Sequence, residues 1–260
     1  MVTLDLTLIA AHLEGLEETI IHRLVDRAQF AANATAYARG ASGFEGAGAQ
    51  SLFDLRLRYQ EEMDAAFGRY HVPEERPFHR DLPESRRTVN LPENPLRIAD
   101  FDLVNVTAQI VRGYKEFLPQ LGKNFAGSAP TEQPGEPSAA DDGQYGSSVE
   151  HDVLAIQAIA RRVHFGALYV AESKYATDPA TFDRLRAEDD RDAILARITR
   201  PEVEQRILRR VAEKVDFIQS TINSSVRKRL DPELVLDLYR DLIIPLTKEG
   251  ELLYIFNRRA

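Results

Sequence analysis

An all-α fold is predicted by three features: apolar residues that recur every three or four positions over long stretches, the lack of any alternating strand pattern of useful length, and Pro- or Gly-rich breaks between the periodic segments. Ile9, Leu13, Leu16, Ile20 and Leu24 form one stripe on a long first helix. Leu52, Leu55, Tyr59, Met63 and Phe67 predict a second helix over about 51–70, with these residues on one side. The five prolines between Pro73 and Pro95 mark an extended surface connection. A helix over about 98–121 follows, then a Gly-, Pro- and acid-rich stretch, about 127–145, that reads as a flexible linker.

Beyond the linker, 149–175 reads as one helix with Val153, Ile156, Ile159 and Val163 inward. Asp178-Pro179 and Arg200-Pro201 look like helix starts, because proline is tolerated in a first turn. Helices are predicted over 201–220 and 231–258, and Pro245 is expected to kink the last, since it has no N–H to donate. The whole chain, 1–260, is read as one domain of long packed helices with no 20–50-residue repeat.

Composition supports a soluble globular protein: 43% of residues are apolar, enough for a sizeable core, and the net charge of −8 argues against nucleic acid as a main partner. A local cationic pocket for a small anion is compatible with that global sign. The lack of cysteine excludes disulfides, thiolate metal sites and a cysteine nucleophile, and fits a reducing compartment. The N-terminus lacks a basic n-region, and no apolar run approaches a membrane span, so a cytoplasmic location without membrane association is expected.

Several tempting groups have plain explanations. The six histidines show no ligand spacing and read as surface or core residues, so no metal is expected. The glycines at 40, 43, 46 and 48 lack the strand–loop–helix setting of a phosphate loop. The Arg227, Lys228 and Arg229 cluster reads as a solvated turn. Periodicity and spacing alone leave the function open.

Four ordered segments narrow it. ARRVHFGALYVAESKY (160–175), IIPLTKEGELLYIFNRR (243–259), LEGLEETIIHRLVDRAQF (13–30) and VPEERPFH (72–79) resemble the signature segments of the all-helical chorismate mutases of fungi and plants. The resemblance runs the length of the chain, with the acidic linker where that family has a shorter loop. It implies a homodimer that rearranges chorismate to prephenate, in phenylalanine and tyrosine biosynthesis, without a cofactor. It also implies site roles. Arg162 matches the arginine that clamps a substrate carboxylate, and Lys174 the lysine that reaches the ether oxygen and a carboxylate. Glu204 matches the glutamate on the substrate hydroxyl, Thr247 a carboxylate-binding threonine, and Glu251 the glutamate against the ether oxygen. A carboxylate there helps only if protonated, which a desolvated site favours.

This chain departs from the family pattern in two places. A family arginine on the first helix is replaced by Ala10, which removes a contact worth about 1.5–3 kcal/mol. Arg200 stands where fungal relatives often have asparagine, and is expected to restore the cation from another wall. Lys174 also lies 12 residues after Arg162, not the family's 11, which on a regular helix turns it about 100° away. A π-bulge near 167–170 would restore the register. For regulation, Gly146 and Ser147 match a Gly-Ser pair of the family's effector site. Of its two adjacent arginines only Arg69 is kept, beside Gly68, so control by aromatic amino acids is expected to be weak or absent. Two other readings stay open: a catalytically silent or regulatory homologue, and a pyruvate-releasing lyase acting on chorismate.

Overall fold

The structure, a computed structural model, describes residues 4–126 and 141–259. Within them the chain is helical, and the lone β-bridge joins Ile98 to Arg258. Most of the stretch read as a linker lies outside the described residues. Its last part is anchored: the Asp142 carboxylate accepts from the Ala31 N–H at 2.8 Å and from Asn33 at 2.9 Å.

Ten α-helices are described: α1 (Leu6–Arg27), α2 (Leu52–Ala66), α3 (Thr107–Ala126), α4 (Tyr145–Phe165), α5 (Ala171–Thr177), α6 (Pro179–Ala187), α7 (Arg191–Ile198), α8 (Pro201–Ser220), α9 (Pro232–Leu238) and α10 (Ile244–Asn257). Their starts follow from local chemistry. Asp5 caps α1 by accepting from the Thr7 N–H at 2.8 Å, and Ser51 with Asp54 forms a capping box on α2. Asp178, Asp190 and Asp231 cap α6, α7 and α9, the first and last of these helices opening with proline.

α1 lies along α4, and the two bury the stripes read from their sequences: Ile20 and Leu24 against Val153, Ile156, Ile159 and Val163, all fully buried. The segment Tyr145–Thr177 is in fact long and apolar enough to cross a bilayer by composition, unlike the expectation above, but it is this central helix and mostly buried. A second apolar cluster gathers α5, α6, α7 and α10 around Ala167 and Leu168.

α2 corrects its predicted face. Phe53, Leu55, Leu57 and Ala65 are buried, whereas Tyr59, Met63 and Phe67 are 55%, 47% and 68% exposed. The Pro-rich connection is also more engaged than expected, since Pro73, Glu74, Glu75 and Arg76 are buried. Arg76 donates to the carbonyls of Tyr70 and Val72 at 2.7 and 2.8 Å.

Two π-helical segments interrupt the long helices. Gly166–Val170 joins α4 to α5, and Tyr239–Ile243 joins α9 to α10. The second precedes Pro245, which cannot donate to the Asp241 carbonyl four residues back. α10 then packs tightly on the first: a Cβ on Gly250 would stand 2.5 Å from the Ala167 Cβ, and one on Gly166 would stand 2.7 Å from Thr247 Cγ2. Both glycines serve close approach.

A buried polar knot joins α1, α3 and α4. Arg27 donates to Asp152 at 2.8 Å and to the Phe30 and Ala31 carbonyls at 3.1 Å each, while Tyr114 donates to Asp152 at 2.8 Å and Tyr37 also donates to it. Burial alone would push the Asp152 carboxyl up and the Arg27 guanidinium down. Mutual charge and four further donors or acceptors make the pair tolerable, as a buried ion pair requires.

Candidate active site

Four parts of the chain enclose one cavity of about 270 Å³. Ile9, Ala10 and Leu13 of α1 supply an apolar wall. Arg162, Gly166 and Lys174 come from the central helix, Arg200 and Glu204 from the start of α8, and Thr247, Lys248 and Glu251 from α10. All six residues singled out in the sequence as catalytic or substrate-binding therefore face the same space. They reach it from three separate stretches of chain.

The register of the central helix makes this convergence possible. An α-helix advances 100° per residue, so a twelve-residue separation on regular helix would carry Lys174 away from Arg162. The π turn at Gly166–Val170 holds the additional residue, where the bulge was expected but one residue longer at its start. Lys174 accordingly reaches the cavity, with Nζ donating to the Ile198 carbonyl at 2.7 Å and to Glu251 at 2.6 Å.

The polar groups are arranged in pairs. Arg162 is buried and donates through Nη1 to Thr247 Oγ1 at 2.9 Å, and that hydroxyl donates to the Ile243 carbonyl at 2.7 Å. The buried Nε of Arg162 has no partner among the described residues, so the guanidinium keeps a donor in reserve. Glu204 pairs with Lys248 at 2.9 Å. Lys248 has no part in the sequence reading; its only local signal is its place next to Thr247, and its pairing across to α8 becomes visible only in three dimensions. Arg200 is exposed at the α8 N-cap and makes no side-chain cap.

Glu251 is buried, and two forces oppose each other on it. Desolvation raises its pKa, while the Lys174 ammonium and, more weakly, Arg162 and Lys248 lower it; burial prevails and the carboxyl sits above its ordinary range. Four cations and two acids line the cavity. The site thus has a positive excess of two, or three when Glu251 is protonated.

The proposed effector residues lie elsewhere. Arg69 is engaged by Asp64 at 2.7 Å and Glu75 at 2.9 Å, and Gly146 and Ser147 are exposed in the first turn of α4. Gly68 adopts a left-handed φ of 85° at the end of α2, with Val89 packed so closely that no side chain fits. Buried His164 accepts from the Val106 N–H at 3.1 Å and donates to the Ala160 carbonyl at 2.7 Å, and burial depresses its pKa to about 3. Among the described residues no group of three acids or histidines is placed to hold a metal ion.

No family model matches the chain. It is 34% identical to a chorismate mutase of Trichoderma parareesei over 98% of its own length and 93% of that protein's. It is likewise 34% identical to the chloroplastic chorismate mutase 1 of Zea mays, over 94% of this chain and 75% of that one. Among solved structures, it superposes on a Candida albicans chorismate mutase in complex with L-Trp with a TM-score of 0.82 at 30% identity, covering 98% of this chain and 92% of the other. The chloroplast enzyme of Zea mays gives a TM-score of 0.77 at 32% identity, covering 97% and 94%. With about a third of its residues shared with such relatives along nearly the whole of its own length, and the same helical architecture, this chain belongs to the chorismate mutase family.

Proposed function

We propose that the chain is an isomerase that rearranges chorismate to prephenate in the α1/α4/α8/α10 cavity. The observation that carries the reading is the charge of that cavity. Its positive excess of two complements a dianion with two carboxylates, in a protein whose overall charge is −8. The rearrangement is unimolecular and pericyclic, so it asks for no nucleophile and no cofactor. It asks for a folded substrate and for donors at the ether oxygen, where charge develops as the bond breaks.

The roles follow from the chemistry of each group. Arg162, with a planar fork and an unused donor, holds one carboxylate together with Thr247. Lys174 addresses the ether oxygen, and Glu251 donates to the same atom in its protonated form, which burial favours. Glu204 accepts from the substrate hydroxyl, kept in place by Lys248. Arg200 takes the second carboxylate in place of the cation missing at Ala10. Its exposure and its lack of a partner among the described residues support that role. The second copy in a homodimer is proposed to cover the exposed Tyr59, Met63 and Phe67 of α2, since an apolar stripe of this kind is usual at an interface. The relatives include a structure with L-Trp bound and two with phenylalanine or tyrosine in an allosteric site. Here the engagement of Arg69 by Asp64 and Glu75 supports weak control by such ligands.

Purified protein should consume chorismate, followed by its absorbance, and yield a product that acid converts to phenylpyruvate. Pyruvate in its place would mark a lyase, and no turnover a silent homologue. Because the active form of Glu251 is the protonated one, activity should decline as pH rises through its elevated pKa. A Glu251→Gln variant, which donates at every pH, should show a flatter profile; an unchanged profile removes Glu251 from the ether oxygen. Arg200→Ala should lower kcat/KM by about ten- to a hundredfold, the value of one charge-assisted contact. Full turnover in that variant would sink the compensation. Sedimentation should report twice the 29.3 kDa chain mass, and Met63→Lys should shift the protein towards monomer. If the variant sediments like the parent, the dimer does not use this face.

A further inference from the structure

A second and larger cavity plays no part in the reaction above. It is a groove of about 780 Å³ between the end of α2 and the connection that follows His79. Its walls carry His71, His79, Arg80, Arg86 and Arg87, against only two acids, Glu84 and Asp102. Asp102 is already neutralised by Arg76 at 2.9 Å. The buried Glu61 beside the groove pairs with His79, and Asp81, next in the chain, pairs with Arg58 at 2.6 Å. The guanidinium groups of Arg80, Arg86 and Arg87 are left without an ion pair or hydrogen bond among the described residues.

Unpaired arginines are common on surfaces, but three of them around one concavity in an acidic chain are a different matter. Like charges held together cost energy, and an anion that bridges them removes the cost. The backbone that bears them is tied down. The Arg86 N–H donates to the Ala66 carbonyl at the end of α2, at 2.9 Å, and Ser85 Oγ donates to the Arg87 carbonyl at 2.8 Å. Val89 packs on the left-handed Gly68. The arginines therefore project from an ordered segment, and the groove has the size of a small-molecule site.

We propose that this groove binds a small multivalent oxyanion, a molecule with at least two phosphate or carboxylate groups. Arg86 and Arg87 are its principal ligands, and Arg80 adds charge and His71 a ring nitrogen beside them. Guanidinium forks match both kinds of oxyanion bidentately. The groove shares no lining residue with the catalytic cavity, so a ligand bound here does not occupy the space assigned to the substrate.

Calorimetric titration of the full chain with inorganic pyrophosphate and, separately, with citrate tests the proposal at a fixed low ionic strength, where exposed charges are least screened. Saturable binding of either probe is expected, and the two arms tell phosphate from carboxylate preference. An R86S/R87S variant should weaken it by about tenfold or more, equivalent to about 1.4 kcal/mol. An R39S/R209S variant removes the same charge from exposed positions elsewhere and should bind within about twofold of the parent. R80S provides a second, milder perturbation that should weaken binding less than the double change. No saturable binding of either probe, or equal losses in the two double variants, would overturn the site.

Discussion

An extra residue in the central helix must be absorbed before anything else in the catalytic cavity can work. Spread over regular helix it would rotate every later side chain by 100°, and the ammonium of Lys174 would leave the space that Arg162 faces. The π turn at Gly166–Val170 confines the disturbance to five residues. That wider turn is accommodated by α10, whose Gly250 lies against Ala167, while Gly166 leaves room for Thr247. The same contacts that seat the bulge thus bring the α10 side chains up to the cavity wall. Register and packing are a single constraint here.

Two buried ionic groups in this protein illustrate different uses of burial. At Arg27 and Asp152 every strong donor and acceptor is occupied, by Tyr37, Tyr114 and backbone carbonyls, and the knot locks α1 and α3 onto α4. Around the cavity the satisfaction is incomplete. Among the described residues the Nε of Arg162 has no partner and Arg200 is unpaired, and Glu251 carries an elevated pKa despite its contact with Lys174. A fully connected polar network stabilises one arrangement. A partly connected one keeps interaction energy available for a ligand, and a reacting ligand can draw on it most strongly where its charge grows.

The cation balance of the cavity also gives meaning to the change at position 10. With alanine there, α1 contributes only apolar surface, through Ile9, Ala10 and Leu13. The cavity's cations come from the central helix, the start of α8 and α10. A dianion held in such a site would be clamped from the central helix and α8 and covered by α1.

Much of this was legible from residue order because it depends on local rules. Stripes at helical spacing located α1 and α4, and the Asp-Pro and Arg-Pro steps marked the starts of α6 and α8, which depend only on the first turn. The twelve-residue separation of Arg162 and Lys174 even required a bulge, since helical phase is arithmetic. What residue order left undecided involves partners distant in the chain. The α2 stripe of Tyr59, Met63 and Phe67 is as periodic as the buried set of Phe53, Leu57 and Ala65, and only docking on α4 chose between the faces. α7, just eight residues long, carries too little periodicity to be seen. Lys248 acquires its place only because α8 brings Glu204 to within 2.9 Å of it, and the pKa of Glu251 rises only because its neighbours exclude water. Periodicity is written into the chain, whereas desolvation and pairing arise when distant helices close around the same volume.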